Sequence, residues 1–136
     1  MTQERMLVSL CKEINEETFA REAENIMASL KDDGAPKRRF AGLTTTKLRG
    51  IYGMVMNVYT KINTPEDFDA CKPDLQYLKV KMAYEAGREP AVKTFLEKTK
   101  LMQRIDDVKN YDQFKLYCRY AESLVAYFKF YGGKDK

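Results

Sequence analysis

The sequence predicts an all-α fold: a single compact bundle of about five helices. Three observations predict it. Apolar residues recur at i, i+3, i+4 and i+7 along most of the chain, no run alternates apolar and polar residues as a strand would, and four prolines and seven glycines punctuate the periodic segments. A length of 136 residues suits one domain spanning 1–136, with one proper core and no room for a second. Within it, 1–16 reads as an extended or frayed N-terminal helix and 134–136 as a polar tail.

The first helix starts near Gln3, or near Glu16 if the beginning is frayed. Leu7, Leu10, Cys11 and Ile14 carry a helical spacing, which Phe19, Ala23, Ile26, Met27 and Leu30 repeat more clearly. Asp32-Asp33-Gly34-Ala35-Pro36 stops it, and Pro36–Gly42 is a short basic linker. The second helix opens at Leu43-Thr44-Thr45-Thr46, where a threonine can accept from a first-turn amide. Leu48, Ile51, Tyr52, Val55, Val58, Tyr59 and Ile62 form its stripe. Its back face holds Gly50 and Gly53, each costing roughly 1 kcal/mol against alanine. Two such glycines indicate either a close approach to this backbone or simple tolerance by the core stripe.

Thr64-Pro65-Glu66-Asp67 is a helix start, with a capping hydroxyl, proline in the first turn and acids beside it. Pro73 interrupts it, and the main third helix runs from about Asp74 to Ala86, stopping at Gly87. Leu75, Leu78, Met82 and Ala86 make one stripe; Tyr77, Val80 and Tyr84 make another on roughly the opposite side. A helix apolar on two sides is central in a bundle or contacts a partner. Glu89-Pro90 starts the fourth helix, with Val92, Phe95 and Leu96 inward and a bend or short break near Thr99–Gln103. Asn110, with Gln113 at capping-box spacing, begins the last helix. Its core stripe is Phe114, Tyr117, Cys118, Ala121, Leu124, Val125 and Phe128, which Tyr120, Tyr127 and Tyr131 widen. Gly132-Gly133 ends it.

Composition excludes most chemistry. The chain has no histidine and no tryptophan. It therefore offers no serine–histidine or cysteine–histidine nucleophile and no histidine-ligated metal. Cys11, Cys71 and Cys118 are isolated, so neither a disulfide framework nor a four-ligand metal site is available; they read as buried or half-buried thiols in a reducing cytoplasm. Asp32-Asp33 and Asp106-Asp107 are adjacent pairs pointing about 100° apart on a helix, poor for chelation. Gly50 and Gly53 lie in a helical pattern without the lysine spacing of a phosphate loop. No catalytic residue, metal ligand or cofactor is expected. No apolar run approaches the ~20 residues needed to span a bilayer, and Met1–Leu10, carrying Glu4 and Arg5, does not read as a secretory signal.

Charge is the remaining signal. Residues 1–33 hold four bases and eight acids, net −4, while 34–136 hold twenty bases and twelve acids, net +8. An acidic arm thus precedes a basic body, as for a polyanion partner, although a solvated surface of uneven charge is the plainer reading. Lys37, Arg38, Arg39, Lys47 and Arg49 fall within thirteen positions containing no acid. Lys79, Lys81 and Arg88 come from the third helix and its end, Arg119 and Lys129 from the last. Lysine offers phosphate a point charge and arginine a planar fork. Such contacts position a nucleic acid without reading its bases.

Three blocks carry a resemblance: Leu43-Thr-Thr-Thr-Lys-Leu-Arg49, Leu78-Lys-Val-Lys-Met-Ala-Tyr-Glu-Ala-Gly-Arg88, and Cys118-Arg-Tyr-Ala-Glu-Ser-Leu-Val-Ala-Tyr-Phe-Lys-Phe-Tyr-Gly-Gly-Lys134. From about Glu17 to Lys134 the chain resembles the small subunit of the type III-A CRISPR (Csm) effector complex. The resemblance implies a helical bundle without nuclease activity, acting in antiviral defence in the cytoplasm. It implies several copies stacked beside the backbone subunits that carry the guide RNA, touching the large subunit and the sugar–phosphate backbone of the target RNA. On the matching motifs it implies phosphate contacts by Lys47, Arg49, Lys79, Lys81, Arg88, Arg119 and Lys129. Tyr84, Tyr120, Glu122 and Tyr127 match too and read as structural or inter-subunit. Arg38 and Arg39 lie outside the blocks and rest on charge alone. The alternative is a purely structural assembly subunit whose bases pair with neighbouring subunits. An enzyme using lysine or cysteine is the remote third, because no base or orienting group can be paired with either.

Overall fold

A computed structural model describes residues 8–11, 14–34 and 39–135. Its order is α1 (Phe19–Leu30), a 3₁₀ turn at Arg39–Gly42, α2 (Thr45–Tyr59), α3 (Pro65–Ala70), α4 (Lys72–Arg88), α5 (Pro90–Thr99), a 3₁₀ turn at Gln103–Asp107, and α6 (Tyr111–Phe130). The fold is all-α, as the periodicity predicts, with six α-helices among the described residues once the short α3 is counted separately. α6 packs between α1 and α2, and α5 lies against both α4 and α1. The predicted α6 stripe is the core: Phe114, Tyr117, Leu124 and Phe128 are fully buried, and Tyr120 with them.

Three of the helix starts follow from their capping residues. Thr44 and Thr64 accept from the Lys47 and Asp67 amides at 3.3 and 3.1 Å, and the Asn110 side-chain oxygen accepts from the Gln113 amide at 2.8 Å. The Gln113 side chain accepts in turn from the Lys109 amide and donates to the Ser9 carbonyl at 2.9 Å, tying the N-terminal segment to α6.

The chain departs from its periodicity at three places. First, the described residues around Leu10 and Ile14 are not helical. Ser9 and Asn15 form an isolated antiparallel bridge, and the Leu10 amide donates to the Ile14 carbonyl at 2.8 Å. Leu10 and Ile14 are buried as their spacing suggests, but not on a helix; Gln3, Leu7 and the rest of 1–7, with 12–13, lie outside the described residues. Second, the interruption expected at Pro73 falls two residues earlier, at Cys71 between α3 and α4. Pro73 sits in the first turn of α4, where its missing amide is no loss, and α4 starts at Lys72. Third, Gly87 does not end α4, which continues through Arg88. The stop comes from Glu89, held extended (φ −125°, ψ 106°) by the proline that follows it.

The expected break after α5 is present. Lys100 takes a left-handed conformation (φ 57°) and the helix ends at Thr99. The freed carbonyls are paired by α6: the Tyr117 hydroxyl donates to Leu101 at 2.8 Å and the Tyr120 hydroxyl to Thr99 at 2.9 Å. These two tyrosines fill the core and close the break at once.

The C-terminus of α6 is a glycine cap. The Gly133 amide donates to the Phe128 carbonyl at 2.8 Å and the Gly132 amide to Lys129 at 3.0 Å, with Gly132 at φ +85°. A Cβ on Gly133 would lie 2.2 Å from the Phe128 ring. Beyond it the tail is more than polar solvent-facing chain. The Lys134 carbonyl accepts from the Thr45 amide at 2.8 Å, so the tail closes the first turn of α2. Arg39 belongs to this corner too. Its guanidinium donates to the Tyr131 carbonyl at 2.5 Å and lies over the Phe40 ring.

Candidate nucleic-acid interface

The seven bases assigned to phosphate fall into separate places, and the fold decides which can act together. Lys129 pairs with Asp135 of the tail, and the Arg49 charge on α2 also acts on that carboxylate. The Lys129 ammonium donates to the Asp135 carboxylate, and that bond first, then a hydrogen bond from Thr45, with the Arg49 charge a smaller influence, holds the carboxyl below the usual carboxylate range. Lys47, one turn into α2, reaches the α4–α5 junction and pairs with Glu89 at 3.3 Å. Glu89 directly follows Arg88, the last residue of α4.

Lys81 and Arg88 lie on the exposed side of α4. Lys81 sits 4.9 Å from the Tyr77 ring centroid, and the Arg88 guanidinium 5.5 Å from that of Tyr84 while pairing with Glu85 at 3.3 Å. Lys79 does not share this face. Two positions along a helix turn a side chain by about 200°, and Lys79 is half-buried against the Gln103–Asp107 turn, paired with Asp106 at 2.5 Å. Arg119 stands apart as well, ten residues or about 15 Å along α6 from Lys129. It borders a shallow cavity of ≈ 170 Å³ between α2 and α6, with Tyr52, Tyr59, Lys115 and Glu122. Lys81 and Arg88 thus share one face of α4 and Lys47 reaches its C-terminal end, whereas Arg49, two positions on from Lys47 along α2, points away from it towards the tail with Lys129, and Lys79 and Arg119 lie elsewhere.

The structure separates the remaining singled-out residues. Arg39 is structural, by the contacts given above, and Arg38 and Lys37 lie outside the described residues. Tyr120 is buried and structural, Tyr84 is exposed, and Tyr127 packs at 6.2 Å against Phe130 on the α6 surface. A Cβ placed on Gly50 or Gly53 would meet nothing within 4 Å, so none of the described residues makes the close approach that two glycines suggested. Sequence reasoning missed the Asp135 contact and Glu89, because both arise from pairings between distant segments. The only available signal was an acid in a tail otherwise made of lysine.

Burial pushes the Cys118 thiol up to about 12 and raises Cys71, so neither offers a ready thiolate. No group of three or more potential metal ligands occurs among the described residues, and no helix there is long and apolar enough to cross a membrane. The buried thiol has a consequence for stability. Its folded value lies above the unfolded one near 9.0, so its contribution is complete below that value and is lost as pH rises through about 12; the buried Tyr117 and Tyr120 hydroxyls act in the same direction. Urea midpoints are expected to fall clearly between about pH 7 and about pH 10.5 and to fall less for Cys118→Ala. Equal falls for both proteins would contradict this assignment.

Comparison with known proteins gives a consistent result. The model of a family described as Csm2 Type III-A matches residues 16–134. A protein of Enterococcus italicus named "CRISPR system Cms protein Csm2" is 43% identical over 121 residues, covering 83% of this chain and 86% of the relative. Its namesake from Streptococcus thermophilus is 36% identical over 122 residues, covering 90% and 98%. One from Mycobacterium tuberculosis is 35% identical over 108 residues, covering 76% and 87%.

Proposed function

This chain belongs to the Csm2 family and is a small subunit of a type III-A CRISPR complex, and from that premise we propose that it holds the target RNA by its sugar–phosphate backbone without catalysing any reaction. It acts in the cytoplasm, in several stacked copies beside the backbone and large subunits and the guide RNA. Arg49 and Lys129 near the C-terminal tail, Lys47 at the α4–α5 junction, and Arg88 and Lys81 along α4 neutralise phosphates.

The observation that supports this most is the shared exposure of Arg49, Lys81, Arg88 and Lys129 on adjoining elements, in a body of net charge +8. Permanently charged lysine and arginine suit a partner whose charge is equally permanent, and binding of this kind responds to salt far more than to pH near neutrality. One copy makes few contacts, so the free chain binds RNA weakly and without sequence preference, and avidity comes from the assembled array.

The test compares assembled complexes. Arg49→Ala with Arg88→Ala is expected to lower target-RNA affinity by about tenfold or more, since 1.4 kcal/mol suffices for that. Lys79→Ala, whose partner is Asp106, is expected to stay within about twofold of wild type. A double variant that binds target RNA as the wild type does while losing subunits from the complex would favour the purely structural role.

A further inference from the structure

We propose that the exposed face of α4 is a stacking platform for unpaired bases of single-stranded RNA, an inference that rests on the phosphate-binding reading and adds base contact to it. Tyr77, Val80 and Tyr84 are 59%, 60% and 64% exposed, three of the five large apolar side chains left exposed among the described residues. Their spacing places them on one side of the helix, with Lys81 and Arg88. The opposite side is already satisfied: Leu75, Leu78 and Met82 are buried in the core.

The two rings are held rather than loose. Lys81 covers one face of Tyr77 and Arg88 one face of Tyr84, at 4.9 and 5.5 Å. A cation on one face leaves the other for a planar partner and polarises the ring towards it. Seven residues separate the tyrosines, about 10.5 Å along the axis, with Val80 between them. An alternation of tyrosine and base along one exposed helix face matches a strand whose bases are flat and apolar and whose backbone is anionic. Its charge complementarity favours a polyanion over an uncharged apolar surface. Base–aromatic stacking needs no particular sequence, because every base presents a π-face. A fully paired duplex hides those faces, so the platform prefers unpaired nucleotides.

The experiment uses the full chain with a single-stranded oligoadenylate RNA and with the same strand in a duplex, followed by fluorescence anisotropy across a salt series. Tyr77→Leu with Tyr84→Leu is expected to lower single-strand affinity by about five- to tenfold per ring at every salt concentration, the lower range of stacking. The salt slope is expected to stay the same, because no phosphate contact is lost, and duplex binding to be unaffected. Tyr77→Phe with Tyr84→Phe keeps the wild-type affinity, and a 2-aminopurine in the strand is quenched by the wild type and the Phe variant but not by the Leu variant. Equal single-strand binding by the Leu variant, an equal loss on single strand and duplex, or no preference of the wild type for the single strand overturns the proposal. So does a Leu variant that keeps its RNA affinity but no longer enters the assembled complex, which would mark α4 as a protein contact. Arg49→Ala separates the two readings: if it lowers the salt slope while the tyrosine changes do nothing, only stacking fails, and if the slope does not move, the phosphate reading fails as well.

Discussion

Phe128→Ala is expected to lower the free energy of unfolding by about 3–5 kcal/mol, the usual cost of truncating a fully buried phenylalanine. Its ring has no exposed surface and lies 4.6 Å from that of Phe40. Three segments converge on it. Phe40 and Ala41 are held left-handed at φ 57° and 55° to bring the linker onto the ring, α6 supplies the ring itself, and Gly133 passes so close that no Cβ fits. Left-handed backbone at non-glycine residues costs on the order of 1–3 kcal/mol each and persists only where packing enforces it. Without the ring, the linker loses its reason to stay strained. The tail loses its seat, and the α2 first turn loses the Lys134 carbonyl. The loss is a large part of the 5–15 kcal/mol typical of a domain. Phe130→Ala, two residues on but 71% exposed, is expected to stay within about 0.5 kcal/mol of wild type. Urea unfolding followed by far-ultraviolet circular dichroism measures both, and equal effects of the two would contradict the account of this corner.

Tyr117→Phe with Tyr120→Phe is the second large effect. Both changes keep the rings and remove only the hydroxyls, so no cavity opens. Each leaves a buried carbonyl at the α5 break, Leu101 or Thr99, without its donor. An unpaired buried acceptor costs about 1–3 kcal/mol. The two bonds serve one break, so the single effects should not add; a coupling of about 0.5 kcal/mol or more is expected from the double-mutant cycle. Strict additivity would mean that the two carbonyls are held independently, and a combined cost under about 1 kcal/mol would mean that water replaces the hydroxyls.

Local rules carried most of the fold. The stripes of α2 and α6, the caps at Thr44, Thr64 and Asn110, and the break near Thr99 all follow from spacing or from a residue's own hydrogen-bonding reach. Where local rules failed, a neighbour competed with them. Gly87 looks like a stop, but the restriction Pro90 puts on Glu89 acts two residues later. Leu10 and Ile14 have helical spacing, yet what their positions share is burial, which a non-helical segment tied to Gln113 supplies equally well. The site was less legible than the fold. Lys79 and Lys81 look equivalent in sequence, and only the helix phase separates one facing Asp106 from one over Tyr77. The pairing of Lys129 with Asp135 depends on how the tail folds back from Gly133. The exposed stripe at Tyr77, Val80 and Tyr84 was legible as a second apolar face, but its interleaving with Lys81 and Arg88 needed the helix in place.

The central claim is that this small subunit holds phosphate through a few exposed cations, and ionic strength addresses it most directly. The affinity of the assembled complex for target RNA should be measured over a salt series for the wild type and for Arg49→Ala with Arg88→Ala. Each lost phosphate contact is expected to reduce the steepness of log K against log salt by about 0.7 for a single strand, with Lys79→Ala leaving it unchanged. A double variant whose affinity and salt slope both match the wild type would contradict the claim.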